Sequence, residues 1–257
     1  MTAKRLQLIA LQIGFAAALV ALWWLCNVTG LIETSILPAV PDVATQFFAV
    51  IERPDFRNGL LATILDAFRG LACATAVAVP LGVLIGMFPG LERATRVIVD
   101  FGRSFPVIAL LPILVLVFGA TSLMKIVAIG IACFFPILLQ TIYGARRLEP
   151  TIVDTVRGYR IPRRLRFLKV LLPAAGPYIA TGMRIASTVA ILVSVGVEIV
   201  SLAPGIGREI SLSRSYNETA TAFAYIVYAG LLGVALTVLW DVLEARLLRW
   251  HLRAKAE

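Results

Sequence analysis

A chain of 257 residues that is 60% hydrophobic and only 15% charged, with a mean hydropathy of +0.90, lacks the polar shell that a soluble domain of this size needs. Its net charge of +9 does not point to nucleic acid, because the basic residues gather in short segments between long apolar runs. Three cysteines without a C-x-x-C pair, and His251 as the one histidine, argue against a metal centre on this chain.

Residues 6–26 read as a first membrane-spanning helix, preceded by Lys4 and Arg5. The run is long for a signal peptide, and no small-x-small cleavage site follows it. Residues 27–59 contain Pro38, Pro41 and Pro54 with acids Glu33, Asp42, Glu52 and Asp55, so they stay outside the membrane. A short helix beginning near Pro41 and Asp42 is expected there, since proline and an acid both suit a first helical turn. Residues 60–88 are the second span, kinked at Pro80. Gly82, Gly86 and Gly90 recur every four residues and predict one small face for close helix packing. Asp66 and Arg69 are three apart and share a face; they pair with each other or lie at the interface.

Pro89–Ser104, with Arg93, Arg96 and Arg103, reads as a connection, followed by a short third span at 105–120 with Pro106 and Pro112. A fourth span covers 126–143, with Pro136 near its middle. Residues 149–173 carry six basic side chains, and Ile152, Val156 and Tyr159 form an apolar edge. Such a segment needs either a partner's surface or an anionic lipid surface. The fifth span, 174–198, places Arg184, Ser187, Ile191, Ser194 and Glu198 on one helical face. That stripe either lines a path, or consists of end residues reaching for water and serines bonded to their own helix. Residues 201–218 are an outer loop, 219–240 the sixth span, and a polar tail follows.

The expected fold is therefore all-α: a polytopic membrane protein with six transmembrane helices in one domain covering 1–257. Arg53, Arg57, Lys125, Arg208 and Arg214 fall on one side; most other basic residues fall on the opposite side, which makes that side, with both termini, cytoplasmic.

Several segments, in this order, carry a resemblance: P-L-G-V-L-I-G at 80–86, F-P-V-I-A-L-L-P-I-L-V-L-V-F-G at 105–119, F-F-P-I-L-L-Q-T at 134–141 and L-P-A-A-G-P-Y-I-A-T-G-M-R at 172–184, then Glu198 with G-I-G at 205–207. With Leu37-Pro38 and Arg249-Trp250 at the edges, the chain resembles the permease subunit of ABC importers of the nitrate, sulfonate and taurine type. Residues 149–173 resemble that family's cytoplasmic loop with its coupling helix. Asp154 takes the acid position, Thr155 and Val156 follow it, Arg157, Gly158 and Tyr159 lead on, Arg160 stands where a glycine is usual, and Leu172-Pro173 closes the loop. If that glycine makes a left-handed turn, an arginine costs about 1–2 kcal/mol there, unless the turn moves to Gly158. Thr63-Ile64-Leu65-Asp66 puts an acid where many relatives carry a base.

The resemblance implies a type I ABC importer permease in a bacterial inner membrane. It also implies partners: a pair of ATPase subunits, a second permease copy or paralogue, a substrate-binding protein outside, and the lipid bilayer. No cofactor is expected on this chain; no G-x-x-x-x-G-K-[ST] is present, so ATP and Mg belong to the ATPase. The implied solute is a small anion such as a sulfonate, taurine or nitrate, with Asp66, Arg69, Arg184, Ser187, Ser194 and Glu198 as candidate path residues. A proton-coupled secondary transporter and an integral-membrane lipid enzyme are the alternatives.

Overall fold

The computed structural model describes residues 3–146 and 158–247, and these contain helices and no strand. Among the described residues, five helices are long and apolar enough to cross a membrane, and a sixth crossing exists if one sharply bent pair counts as a single span. The helices are α1 (Ala3–Val28), α2 (Val40–Ala49), α3 (Pro54–Met87), α4 (Pro89–Ser104), α5 (Leu111–Phe118), α6 (Ser122–Arg146), α7 (Arg163–Arg166), α8 (Leu172–Ser201), α9 (Ile206–Ser215) and α10 (Thr219–Leu247).

The core is a three-helix stack with α6 in the middle, and small residues decide it. Without a hydrophobic force between helices in lipid, backbones must approach closely to gain dispersion contacts. On α3 a Cβ added at Gly70 would lie 2.6 Å from Ile129, one at Gly82 2.7 Å from Thr141, and one at Gly86 2.7 Å from Ala145. On the other side, Gly144 of α6 faces Ala175 and Tyr178, and Gly182 of α8 faces Ile137 and Gln140. Gly90 does not extend the α3 series: helix α3 ends at Met87, Gly90 belongs to α4, and open space surrounds it. Pro80, Pro136 and Pro177 all lie inside unbroken helices.

The stretch 105–120 is not a straight span. Its helical part is a 3-10 turn, Val107–Leu110, and the short α5. Together they rise about 20 Å, short of the roughly 30 Å apolar core. Its partner is α4, bent from it by 83°; the stretch expected as a connection is a helix. Charges at i, i+3 and i+4 made α4 look like a loop, yet they all fit along one amphipathic helix.

Lys125 is likewise no loop residue. It lies inside α6 and is fully buried. The expected outer loop 201–218 folds into α9, because Leu202 ends α8 in the left-handed conformation, φ 56°, and the chain turns back through Pro204 and Gly205. Helix α2 forms where Pro41 and Asp42 predicted it; Tyr228 of α10 donates to the Phe47 carbonyl at 2.7 Å while their rings stack at 4.4 Å. Helix α1 is tethered at one end, where Trp23 donates to Pro38 O and Asn27 to Leu37 O. None of its apolar stretch Gln7–Val28 is buried.

Candidate functional site

The bundle has two polar ends. One carries α9; the other carries the connection between α6 and α8, here the turn end. At the α9 end, three helices each contribute to one buried ionic network. Thr63 and Asp66 lie three apart on α3, one turn before Gly70, and Lys125 lies one turn before Ile129 on α6. The close contact of Gly70 with Ile129 therefore brings Lys125 opposite Asp66. Ser194 and Glu198 add a polar turn of α8.

Lys125 Nζ donates to Glu198 Oε1 at 2.8 Å and to the Pro204 carbonyl at 2.6 Å, and stands 2.8 Å from Asp66 Oδ2. Glu198 also receives the Thr63 hydroxyl at 2.9 Å, the Ser194 hydroxyl at 3.0 Å and the Gly207 backbone N–H at 2.9 Å. Thr63 Oγ1 accepts the Ile206 N–H at 3.0 Å. Every group that contacts the Glu198 carboxyl oxygens is a donor, and both oxygens are used. Arg69, more than half exposed, approaches Asp66 Oδ1 at 3.4 Å from the rim. Two acids and two bases balance the cluster, which makes burial of this many charges tolerable.

Network and turn require each other's shape. A Cβ at Gly205 would fall 2.0 Å from the Glu198 carboxyl carbon, and one at Gly207 2.4 Å from the Val195 carbonyl. A Cβ added at Gly59 of α3 would lie 3.2 Å from the Gly205 carbonyl carbon, tighter than an ordinary contact. The G-I-G triplet thus lets the backbone close over Glu198 and present the Gly207 N–H to it, while the Ile206 N–H goes to Thr63.

The expected polar stripe of α8 does not form one continuous lining within the chain. Ser187, Ser194 and Glu198 are buried. Arg184 bonds Asp241 at 2.8 Å and Glu244 at 2.5 Å on α10, and Ser187 accepts the Trp240 indole N–H while donating to Met183 O. Arg184 lies in the half of α8 toward the turn end and Ser187 at the helix midpoint, whereas Asp66, Ser194 and Glu198 meet at the α9 end. Lys125 was not among the residues that the sequence singled out; an acid inside span two with no second base deep in the membrane was the available signal.

At the turn end, Asp154, Thr155, Val156 and Arg157 lie outside the described residues. Gly158, Tyr159 and Arg160 are described, and the left-handed residue is Arg160, φ 49°; Gly158 does not adopt a positive φ. Tyr159 is strongly exposed. Beyond it, α7 passes through a π-helical turn, Phe167–Leu171, into α8, whose first turn takes Pro173. Among the described residues no group of three His, Cys, Asp or Glu is placed to hold a metal.

Residues 78–249 match the family model described as binding-protein-dependent transport system inner membrane component. The chain is 25% identical to the taurine transport system permease protein TauC of Escherichia coli over 248 residues, 95% of this chain and 90% of that protein. It is 29% identical to the nitrate import permease protein NrtB of Synechocystis over 232 residues, 86% of this chain and 82% of that one. In fold it is similar to a chain of the MetNI methionine ABC transporter in inward-facing conformations, with a TM-score of 0.63 at 21% identity, covering 72% of this chain and 92% of that chain.

Proposed function

The chain belongs to the family of binding-protein-dependent inner-membrane transport components and is a multi-pass permease of an ABC importer, not an enzyme; from that premise we propose that it passes a small anion, a sulfonate or nitrate, across a cytoplasmic membrane as half of a permease pair. Taurine and nitrate, which the names of two relatives carry, each bring a single delocalised anionic group.

The observation that carries the mechanism is a shared pair of helices. Helices α6 and α8 flank the basic turn at one end and hold Lys125 and Glu198 together at the other. Residues 149–173 dock on an ATPase subunit, with Tyr159 as an apolar contact and Arg160 setting the bend. ATP and Mg bind the ATPase pair. When that pair closes, the turn moves with it, and the tightly packed stack of α3, α6 and α8 carries the displacement to the α9 end, where a binding protein delivers the solute. The turn end, with both termini, is cytoplasmic, since Arg146, Arg160, Arg166, Lys169 and Arg246 gather there. Asp66, Lys125, Ser194 and Glu198 hold the α9 turn in register and do not touch solute. The partner permease is a second copy or a paralogue.

Deletion of residues 154–159 tests the docking: the chain should still insert in the membrane but lose copurification with its ATPase. Copurification at the wild-type level would sink the assignment. ATP-dependent uptake of taurine or nitrate by the reconstituted complex, insensitive to dissipation of the proton gradient, tests the transport reading.

A further inference from the structure

The elbow between α4 and α5 falls at mid-length of the bundle. A cavity of about 270 Å³ opens in its crook, walled by Phe105, Pro106 and Val107 on one side and by Ile131, Val189 and Val193 on the other. Those last three lie near the middles of α6 and α8, so the cavity sits deep in the apolar layer. Gly102 makes the elbow tight, because any Cβ there would fall inside the Phe135 ring.

One charged group lines this apolar cavity, Arg103. Its Nε is 3.2 Å from Asp100 Oδ1, and Arg96 Nε is 4.0 Å from the other oxygen of the same carboxylate. Two guanidiniums share one acid, and the cluster keeps a net positive charge. The Asp100 contact takes up Nε and leaves the terminal nitrogens of Arg103 available. An arginine half-exposed at this depth is costly unless it meets water or an anion, and an intramembrane cation with spare donors is a functional candidate by default. None of this belongs to the network at the α9 end.

We infer that Arg103 is the anion-contacting residue of the translocation path, and that the elbow cavity accepts the short carbon body of an organic anion whose sulfonate or carboxylate head pairs with the guanidinium. The inference rests on the small-anion reading above and adds residue and chemistry to it. A head with two coplanar oxygens suits the guanidinium fork, and the six apolar wall residues suit a body of two to four carbons better than a bare inorganic ion.

The test is uptake by the complete importer, permease with its ATPase and binding protein, reconstituted in proteoliposomes with taurine and butane-1-sulfonate as probes. Arg103→Gln should reduce uptake about tenfold or more, Arg103→Lys should recover much of it, and Asp100→Asn should keep or raise it, with ATPase copurification intact in all three. If Arg103 were only a helix-surface partner of Asp100, D100N would lose as much as R103Q; that result, or unimpaired uptake by R103Q, overturns the inference. Wild-type transport of neither probe would instead remove the small-anion reading itself and the inference with it. Should R103Q fail to assemble, Val193→Cys supplies the second measurement: modification by a charged water-borne thiosulfonate should be slowed by butane-1-sulfonate during turnover, and an unchanged rate counts against the site.

Discussion

Lys125 and Glu198, separated by 73 positions in the chain, form a fully buried ion pair at 2.8 Å. The same lysine reaches Asp66 and the Pro204 carbonyl, so α3, α6, α8 and the α9 turn all meet at one ammonium group.

Removing the acid while leaving the base is the severe perturbation. Glu198→Ala leaves Lys125 with Asp66 as its one acid partner beside the Pro204 carbonyl and orphans the Gly207 N–H, which should cost about 3–5 kcal/mol, the range for breaking one side of a buried pair. Thermal unfolding in detergent should show a large drop in midpoint. A double replacement, Lys125→Met with Glu198→Gln, should cost less than the two single changes added together. Additive losses would mean that the two side chains do not depend on each other.

Glycine substitutions separate contact from coincidence. Gly205→Ala puts a methyl into the Glu198 carboxylate and Gly86→Ala puts one between Ala145 and the Ile142 carbonyl. Both should lower stability by more than about 1 kcal/mol, as overpacking does. Gly90→Ala meets nothing within 4 Å, and should be neutral or stabilise by a few tenths of a kcal/mol through helix propensity. Equal effects at positions 86 and 90 would contradict the packing described.

Arg160→Gly should relieve the left-handed strain at φ 49°, a gain of about 1 kcal/mol. Arg160→Val, branched at Cβ, should cost more than it saves. Limited proteolysis within 149–173, compared across the three proteins, reads this directly: the glycine form should be cut most slowly and the valine form fastest.

Arg184 offers a contrast to Glu198. Its pairs with Asp241 and Glu244 are nearly half exposed, and solvent screening holds such pairs to under about 1 kcal/mol. Arg184→Gln should therefore shift the unfolding midpoint slightly, and a loss as large as that of Glu198→Ala would show that the turn end is drier than its exposure indicates.

Most of the membrane fold was legible because uninterrupted apolar runs are hard to read any other way. Helices α1, α3, α6, α8 and α10 begin and end near the expected positions. The elbow was not legible, since an amphipathic helix carrying Arg93, Arg96, Asp100 and Arg103 has the composition of a loop, and only its packing against α3 and α6 marks it as part of the bundle. Lys125 was misread for a related reason: it is the fourth residue of α6, where a lysine ordinarily reaches water, and its acid partners come from α3 and α8. Ser194 and Glu198 share a face, since the Ser194 hydroxyl reaches Glu198 one turn on, but a face says nothing about whether water or another helix covers it. Gly90 joined the α3 series through spacing that continues by chance past the break at Phe88 and Pro89. For Arg160, resemblance supplied the position and backbone geometry supplied the conformation.

The buried network also imposes an order on biosynthesis. Asp66 is made first, Lys125 follows 59 positions later, counted as 125 minus 66, and Glu198 comes 73 after that. At about 5–20 residues per second, the ribosome takes roughly 4–15 s to produce the last member. Through that interval the nascent chain holds one acid, Asp66, and two bases, Arg69 and Lys125, inside or beside the bilayer without Thr63 and Ser194 closed around Glu198, and the early pair of α3 with α6 must keep these charges sheltered. A chain that never supplies Glu198 stays in this half-assembled form, so its first symptom in a cell should be rapid degradation by membrane proteases rather than a correctly inserted but silent permease.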